Sequence, residues 1–340
     1  MKLITLTVPC YNSQDYMESC IRSLLPGGNE VEILIIDDGS TDRTPEIADR
    51  LATEYPDQIR VIHQANGGHG AGLNTGIACA QGLYFKTVDS DDRLDSQALI
   101  HLLDLIRSYV GQSEVPDMIV NDYVYDQVNQ KAIFSVTYQH VFRSDRLCTW
   151  ENCRHFPFWK QFMIHSLTYR TQLLRDIELV LPSHTFYEDN LYIYQPLPHV
   201  RTIAYLHEPL YGYFIGRDGQ SINEKVILSR LEQCTTIAEM MITSYSLAEL
   251  KQLPRHLCHY MLSNAAGQLS TTTSLQYLAW DQDGKAYYER MWKTIHDFDP
   301  DLYRALRHQI VGFSTIFPGK IGRSVLIAFY RICRSMIRFS

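Results

Sequence analysis

Residues 66–92 read NGGHGAGLNTGIACAQGLYFKTVDSDD. This stretch joins a glycine-rich turn, a run with helical spacing, a strand-like run and a closing cluster of three carboxylates. A glycine turn also opens the helix of dinucleotide-binding folds, where it follows the first strand and a single acid comes about 20 residues later. Here the turn follows the third strand-like run and the acids are clustered, so the pattern argues against dinucleotide binding.

Strand-like and helix-like runs alternate on the amino-terminal side of this stretch. The runs at 2–9 and 31–38 are apolar without period-two alternation, which is typical of strands buried on both faces. Between them, apolar residues from Tyr16 to Leu24 recur at helical spacing. Further strands are predicted at 59–64 and 82–89. The alternation predicts an α/β fold with a parallel sheet and flanking helices.

Polar clusters follow each of these four strand-like runs. Ligands of such sheets bind beyond the carboxyl ends of the strands. Four clusters at one edge predict a single binding site there. The clusters are Pro9–Asn12, Asp37–Ser40, Asn66–Gly68 and Asp89–Asp92.

The last cluster indicates a metal site. Asp89, Asp91 and Asp92 repel one another unless a cation neutralises them. Mg²⁺ and Mn²⁺ suit this arrangement, because such ions take one or two protein carboxylates and complete their coordination with phosphate oxygens and water. The alternative is a polar turn that precedes a helix beginning near Asp95.

Composition points to a soluble globular protein. The chain has 340 residues, of which 45% are hydrophobic and 20% charged, and no run approaches the roughly 18 uncharged apolar residues of a membrane-spanning helix. Pro9 and Asn12 interrupt the first apolar run, so no signal peptide is predicted. Its eight cysteines form no CxxC pair, as expected of reduced, buried thiols. We expect a cytoplasmic protein without a nucleic-acid partner.

The sequence changes character after Ser221. SINE (221–224) and SLAE (246–249) match the capping box before an apolar-periodic run, so helices are predicted to start near 222 and 247. We therefore expect a catalytic domain over 1–220, a helical region over 221–319 and a basic tail helix over 320–340.

The tail differs in charge from the rest of the chain. The net charge is −7, yet from Leu302 onward there is no Asp or Glu and there are seven Lys or Arg residues. On a helical wheel, Arg331, Arg334 and Arg338 share a face opposite Val325 and its apolar neighbours. Such a helix suits an anionic membrane surface, which we expect 323–339 to contact. Packing against the acidic body of the protein is the alternative.

Five motifs together resemble family 2 inverting glycosyltransferases with the GT-A fold, as found in bacterial polysaccharide biosynthesis. The resemblance covers about residues 1–225 and implies a mixed, mainly parallel sheet followed by a helical carboxyl-terminal region. The motifs are VPCYN (8–12), DDGSTD (37–42), NGGHGAGLNTG (66–76), DSDD (89–92) and YEDN (187–190).

The resemblance also implies roles for individual residues. Asp189 matches the catalytic base, with Glu188 beside it. Asp91 matches the acid that ligates Mn²⁺ or Mg²⁺, and Asp89 the first acid of the D-x-D motif, near the ribose or a metal-bound water. The remaining implied contacts are to a nucleotide-sugar donor, most naturally a UDP-sugar, and involve Pro9, Tyr11, Asn12, Asp38, Asn66, Gly67, Gly70 and Arg217.

One position departs from the family pattern. Leu73 stands where the family often has Arg, so no basic contact to the donor is expected from it. The resemblance implies metal-dependent, inverting transfer of a sugar to a glycan or a lipid-linked acceptor. The basic tail alone implies that this takes place at the inner face of the cell membrane. Two alternatives stay open: a nucleotidyltransferase, which shares an acidic metal loop on an α/β sheet, and a catalytically silent member that binds a glycan or a partner.

Overall fold

The computed structural model describes residues 1–127, 134–157, 160–215, 223–307 and 319–337. The chain divides into two compact units. One comprises Met1–His155 and Phe162–Ile215, and the other comprises Phe156–Gln161 and Gly216–Ser340. Arg217 and Arg338 lie outside the described residues.

The first unit alternates strands and helices as predicted. Its strands are β1 (Ile4–Cys10), β2 (Val31–Asp37), β3 (Ile59–His63), β4 (Tyr84–Thr87), β5 (Arg93–Leu94), β6 (Met118–Gln127), β7 (Phe134–Val136), β8 (Leu167–Arg170) and β9 (Ile203–Ile215). Its helices are α1 (Met17–Leu24), α2 (Thr44–Glu54), α3 (His69–Cys79), α4 (Ser96–Tyr109), α5 (Thr171–Asp176) and α6 (Asp189–Tyr194).

Within the described ranges these strands form one nine-stranded sheet, in the order β3-β2-β1-β4-β8-β6-β9-β5, with β7 paired to β6. Strands β3, β2, β1 and β4 are parallel, whereas β8 is antiparallel to β4 and to β6. Every residue of β1 and β2 is buried, which explains their continuous apolar runs. The predicted fold class is confirmed, because the sheet is mixed and mainly parallel.

The acidic loop is followed by a helix, as expected. The Asp95 carboxylate accepts hydrogen bonds from the backbone N–H groups of Gln97 and Ala98 and so caps α4. Asp95 is therefore committed to the helix start, which leaves Asp89, Asp91 and Asp92 outside the cap.

The second unit is helical in its described residues. Its helices are α7 (Glu224–Ser229), α8 (Leu231–Ile242), α9 (Leu247–Leu250), α10 (Arg255–Leu278), α11 (Lys285–Phe298), α12 (Pro300–Arg307) and α13 (Lys320–Ile337), with a π-helical turn at Trp280–Gly284. Ser246 and Glu249 form the predicted capping box of α9. At the other predicted start, α7 begins at Glu224 with Asn223 as its cap, about two residues later than the SINE capping box predicted, and Ser221 lies outside the described residues.

Helix α13 packs against another helix of the second unit, and its contact with a membrane stays a prediction. It packs against α10 with Leu326 buried, and the Arg323 guanidinium lies 4.6 Å from the centre of the Trp280 ring. Ile321, Val325 and Ile332 remain exposed along one side. One face of the helix is thus packed while a neighbouring apolar stripe faces solvent. None of the described helices is long and apolar enough to cross a membrane.

Candidate active site

The carboxyl ends of the parallel strands carry the predicted polar clusters. Cys10 is in register with Asp37, and Asp37 with His63, so the ends of β1, β2 and β3 lie side by side. β4 lies on the other side of β1, and the acidic loop follows it directly. The predicted clusters therefore leave neighbouring strands of the sheet at the same edge.

Asp38 organises the turn that precedes the glycine-rich segment. One carboxylate oxygen accepts hydrogen bonds from Gln64 Nε2 (2.7 Å) and the Gly67 N–H (2.9 Å), and the other from the Gly68 N–H (2.7 Å). Asn66 Nδ2 donates to the Asp38 carbonyl oxygen at 2.9 Å. The Asp38 side chain is buried. Asp38 therefore stabilises the loop itself, and its contact with a donor stays a prediction.

The glycines of this loop are required by close packing against the YEDN segment. Gly68 has φ of +83°, which favours glycine, and a Cβ there would lie 3.1 Å from the backbone nitrogen of His184. A Cβ at Gly70 would lie 2.6 Å from the Pro182 carbonyl oxygen. These glycines allow the segment that precedes Glu188 to pack closely against the start of α3. That requirement is separate from the predicted lining of a nucleotide pocket, which stays a prediction for Asn66, Gly67 and Gly70.

His69 joins the two acidic motifs. Its Nδ1 lies 2.6 Å from Glu188 Oε1, and its Nε2 lies 3.3 Å from Asp89 Oδ1. Burial disfavours the imidazolium, but the two carboxylates outweigh burial and hold the pKa of His69 well above its usual range. Glu188 and Asp89 are thereby held by one cation although they are far apart in the sequence. The sequence offered only that His69 starts a helix after a glycine turn, so this link was not predicted.

The acidic loop contains one buried and two more open carboxylates. Asp92 is buried and accepts hydrogen bonds from the Tyr211 hydroxyl (2.6 Å) and the Phe214 N–H (2.8 Å). Asp89 and Asp91 are partly exposed. Burial, together with the charges of Asp89 and Asp91, raises the pKa of Asp92 to about 9. Like charges are therefore crowded here.

These three carboxylates fit a divalent cation. One ligand oxygen from each of Asp89, Asp91 and Asp92 lies within 4.8 Å of the others. A hard cation favours such oxygen donors and would relieve the crowding that raises the pKa of Asp92. Asp92 already accepts two protein hydrogen bonds, and ligation of the ion by Asp91 and Asp89 stays a prediction. Asp92 then positions the loop.

The YEDN segment follows the same division between a buried and a partly exposed acid. Glu188 is buried against His69, whereas Asp189 is partly exposed at the first position of α6. Burial, and then the charge of Glu188, raises the pKa of Asp189 to about 7. Tyr187 has φ of +72°, a strained conformation for a side-chain-bearing residue. Asp189 thus has the pKa of a base that works near neutral pH.

The turn after β1 is exposed at its tip. Tyr11 is 53% exposed. Asn12 has φ of +51°, and its side-chain oxygen accepts a hydrogen bond from the Thr41 N–H at 2.9 Å. Pro9 is buried in β1, near Gly72 of α3. Tyr11 is therefore available to a ligand, while Asn12 joins the turn to the DDGSTD segment.

Comparison with known proteins supports the family resemblance. The family model described as "Glycosyl transferase family 2" matches residues 5–165. The resemblance to family 2 glycosyltransferases is confirmed. The matched family 2 segment includes the acidic loop and the glycine-rich turn, whereas YEDN lies beyond it.

Similar proteins extend the comparison. An uncharacterized glycosyltransferase, EpsJ of Bacillus subtilis (strain 168), is 45% identical over 95 residues, which cover 28% of this chain and 27% of EpsJ. A hyaluronan synthase of Pasteurella multocida is 28% identical over 159 residues, which cover 44% of this chain and 16% of that enzyme. The chain therefore spans less than a third of the length of either relative.

A solved structure matches nearly the whole chain. The crystal structure of S. aureus TarS 1–349 in complex with UDP-GlcNAc superimposes with a TM-score of 0.66 at 20% identity, covering 99% of this chain and 92% of that one. At this identity the likeness establishes the GT-A fold. The helical carboxyl-terminal region is part of the match.

Proposed function

We propose that the chain is a metal-dependent inverting glycosyltransferase that moves a sugar from a nucleotide donor, most naturally a UDP-sugar, to a saccharide acceptor. One observation carries the proposal: His69 joins Glu188, which precedes a carboxylate with a pKa of about 7, to Asp89 of the acidic loop, whose three carboxylates fit a cation. A transferase of this kind needs both groups, a base for the acceptor and a charge-neutralising site for the leaving diphosphate.

Asp189 is the proposed catalytic base. The acceptor hydroxyl attacks the anomeric carbon from the side opposite the diphosphate, so the new glycosidic bond forms as the bond to phosphate breaks and the configuration inverts. The hydroxyl proton passes to the Asp189 carboxylate. Glu188 is buried and bound to His69. Because it directly precedes Asp189 in the chain, it holds Asp189 in position.

Asp91 and Asp89 would hold Mn²⁺ or Mg²⁺. When bound, such an ion neutralises charge on the diphosphate. Tyr11, exposed after β1, is the best placed of the predicted donor contacts to stack on a base. The other donor contacts in the proposal are those inferred from sequence: Pro9, Asn12, Asp38, Asn66, Gly67, Gly70 and Arg217.

Calorimetric titration tests the donor site. UDP, GDP and CDP are titrated into the protein with Mn²⁺ and again with EDTA. We expect UDP to bind with Mn²⁺ and to lose most of its affinity in EDTA. Equal binding in both conditions would contradict metal dependence, and binding of none of the three would contradict the transferase proposal. Pyrophosphate release from a nucleoside triphosphate would indicate a nucleotidyltransferase instead.

We further propose that the acceptor is a growing cell-surface polysaccharide or its lipid-linked precursor, reached at the inner face of the membrane. The similarity to a hyaluronan synthase supports a polysaccharide product. The exposed stripe Ile321, Val325 and Ile332 on α13, beside Lys320 and Arg331, supports contact with an anionic bilayer.

Vesicle sedimentation tests the membrane contact. A variant with Ile321, Val325 and Ile332 changed to Ser should pellet less with phosphatidylglycerol vesicles than the unchanged protein. Val180→Ser is the control, since Val180 is 71% exposed and belongs to the first unit. Equal sedimentation of all three proteins would contradict the contact.

A further inference from the structure

Three aromatic side chains form a row across neighbouring strands of the sheet. Phe134 of β7 is in register with Tyr125 of β6, and Tyr125 is in register with Tyr213 of β9. The ring centres lie 6.2 Å apart between Phe134 and Tyr125 and 5.7 Å apart between Tyr125 and Tyr213. We call Phe134, Tyr125 and Tyr213 the aromatic row.

The inner end of the aromatic row lies between residues that bind the acidic loop. Two residues before Tyr213, the Tyr211 hydroxyl donates to Asp92, and one residue after it the Phe214 N–H does the same. Burial, and then the charges of Asp89 and Asp92, raises the pKa of the Tyr213 phenol. Tyr213 therefore stands beside the site where we expect the diphosphate and the reacting sugar.

A buried histidine supports the inner end. His165 is 2% exposed. Its ring stacks on the rings of Tyr213 and Tyr211, with centre-to-centre distances of 5.0 Å and 4.8 Å. Tyr123, two residues before Tyr125 on β6, packs edge-on against the same imidazole, with the ring centres 4.2 Å apart. The inner rings are thus held in place before any ligand arrives, which lowers the entropy lost on binding.

The outer end of the row is open. Phe134 is 67% exposed, so its ring gains little from packing in the folded protein. It stands on β7, which pairs only with β6 among the described strands. The row therefore runs from a preorganised interior end to an accessible exterior end.

We propose that the aromatic row is a subsite for an oligosaccharide acceptor, with Phe134 contacting a sugar further from the reacting end than Tyr213 does. Sugar rings present apolar C–H faces that stack on aromatic side chains, and their hydroxyls leave the edges hydrated. Because the inner end of the row lies between residues that bind the acidic loop, a chain lying on the row presents its terminal hydroxyl to the transfer site. This inference rests on the proposed function and specifies its acceptor as longer than a disaccharide.

Ligand-observed NMR titration of the full chain tests the row. The probes are the tetrasaccharides of cellulose, chitin and hyaluronan, and each is compared with the corresponding disaccharide. We expect at least one tetrasaccharide to bind more tightly than its disaccharide. Phe134→Ala and Phe134→Leu should weaken that tetrasaccharide about three- to tenfold, as expected for loss of one stacking contact. Phe134→Tyr keeps the ring and should retain the affinity.

The controls separate this inference from the proposed function. UDP affinity with Mn²⁺ should be the same in every Phe134 variant, and Phe298→Ala, which removes a 44% exposed ring from the second unit, should change neither affinity. A Phe134→Ala protein that binds the tetrasaccharide like the unchanged chain would overturn the subsite, as would tetrasaccharides that bind no better than their disaccharides. Failure of the unchanged chain to bind UDP would instead count against the proposed function.

Discussion

The Asp37–Asp38 turn after β2 and the Asp89–Asp92 loop after β4 have similar sequences but different surroundings. Both lie at the carboxyl end of a strand that pairs with β1. In the first, both acids are buried and accept hydrogen bonds from nearby donors, including the His63 ring for Asp37. In the second, one acid is buried and two are partly exposed, and burial together with the charges of Asp89 and Asp91 raises the pKa of Asp92.

This difference separates carboxylates that stabilise the fold from carboxylates available for chemistry. A buried acid with several donors holds a loop in place, whereas an open acid beside other charges favours a cation or a proton. The pair Glu188 and Asp189 shows the same division within two consecutive residues. Substitutions at buried and open acids should therefore have opposite effects on stability and on activity.

The largest expected effect is at the open acid of the YEDN segment. Asp189→Asn should lower kcat by about 10²- to 10⁴-fold, because an amide cannot accept the hydroxyl proton. In the unchanged enzyme, log kcat/KM should rise with pH below about 7 and level off above it, since only the deprotonated carboxylate is a base. Steady-state rates of nucleotide release from pH 5 to 9 check both. A flat profile, or an active Asp189→Asn enzyme, would contradict the assignment.

Asp91→Asn should have the next largest effect. The variant should bind UDP more weakly in the presence of the metal. The loss of affinity should exceed the about 10- to 100-fold that is typical when a residue that only supports a metal ligand is replaced. The free energy of unfolding in EDTA should not fall, because one of three crowded carboxylates has been removed. Calorimetry and urea unfolding measure the two effects. If stability falls while UDP binding stays metal-dependent, Asp91 belongs with the structural acids.

Asp38→Asn should show the reverse pattern. The amide cannot accept all three hydrogen bonds, and loss of the bond from the partly buried N–H of Gly67 or Gly68 to a carboxylate should lower the free energy of unfolding by about 1–3 kcal/mol. UDP binding should keep its dependence on Mn²⁺. Urea unfolding of Asp38→Asn and of Asp91→Asn compares the free energies of unfolding of the two variants directly. Unchanged stability with weakened UDP binding would show that Asp38 serves the donor instead.

Tyr211→Phe should have the smallest effect and tests how the acidic loop is held. It removes the hydroxyl that donates to Asp92 and accepts from the Asp89 N–H, so the free energy of unfolding should fall by about 0.5–1.5 kcal/mol. Affinity for Mn²⁺ should weaken by about 10-fold, as for other partners that orient ligands. Manganese titration by electron paramagnetic resonance measures that affinity. If neither the free energy of unfolding nor the Mn²⁺ affinity changes, the Phe214 N–H alone is enough to hold Asp92.

Much of the fold could be predicted because its signals are local. Strand and helix alternation, the capping box at Ser246 and the cap of α4 each depend on residues a few positions apart. The acidic loop was recognised as a candidate metal site for the same reason. The exposed stripe of α13 was harder to predict, because the wheel gave an apolar face without showing that Leu326 would be buried and Ile332 exposed.

The sequence by itself determined the parallel α/β core, the position of the polar clusters at the strand ends and the resemblance to family 2 glycosyltransferases. Only the tertiary structure decided which acids are buried, that His69 meets a residue 119 positions away, and that Phe134, Tyr125 and Tyr213 share one row. The reason is physical. Secondary structure follows from neighbouring residues, whereas burial, charge coupling and strand register depend on segments that meet only after the chain has folded.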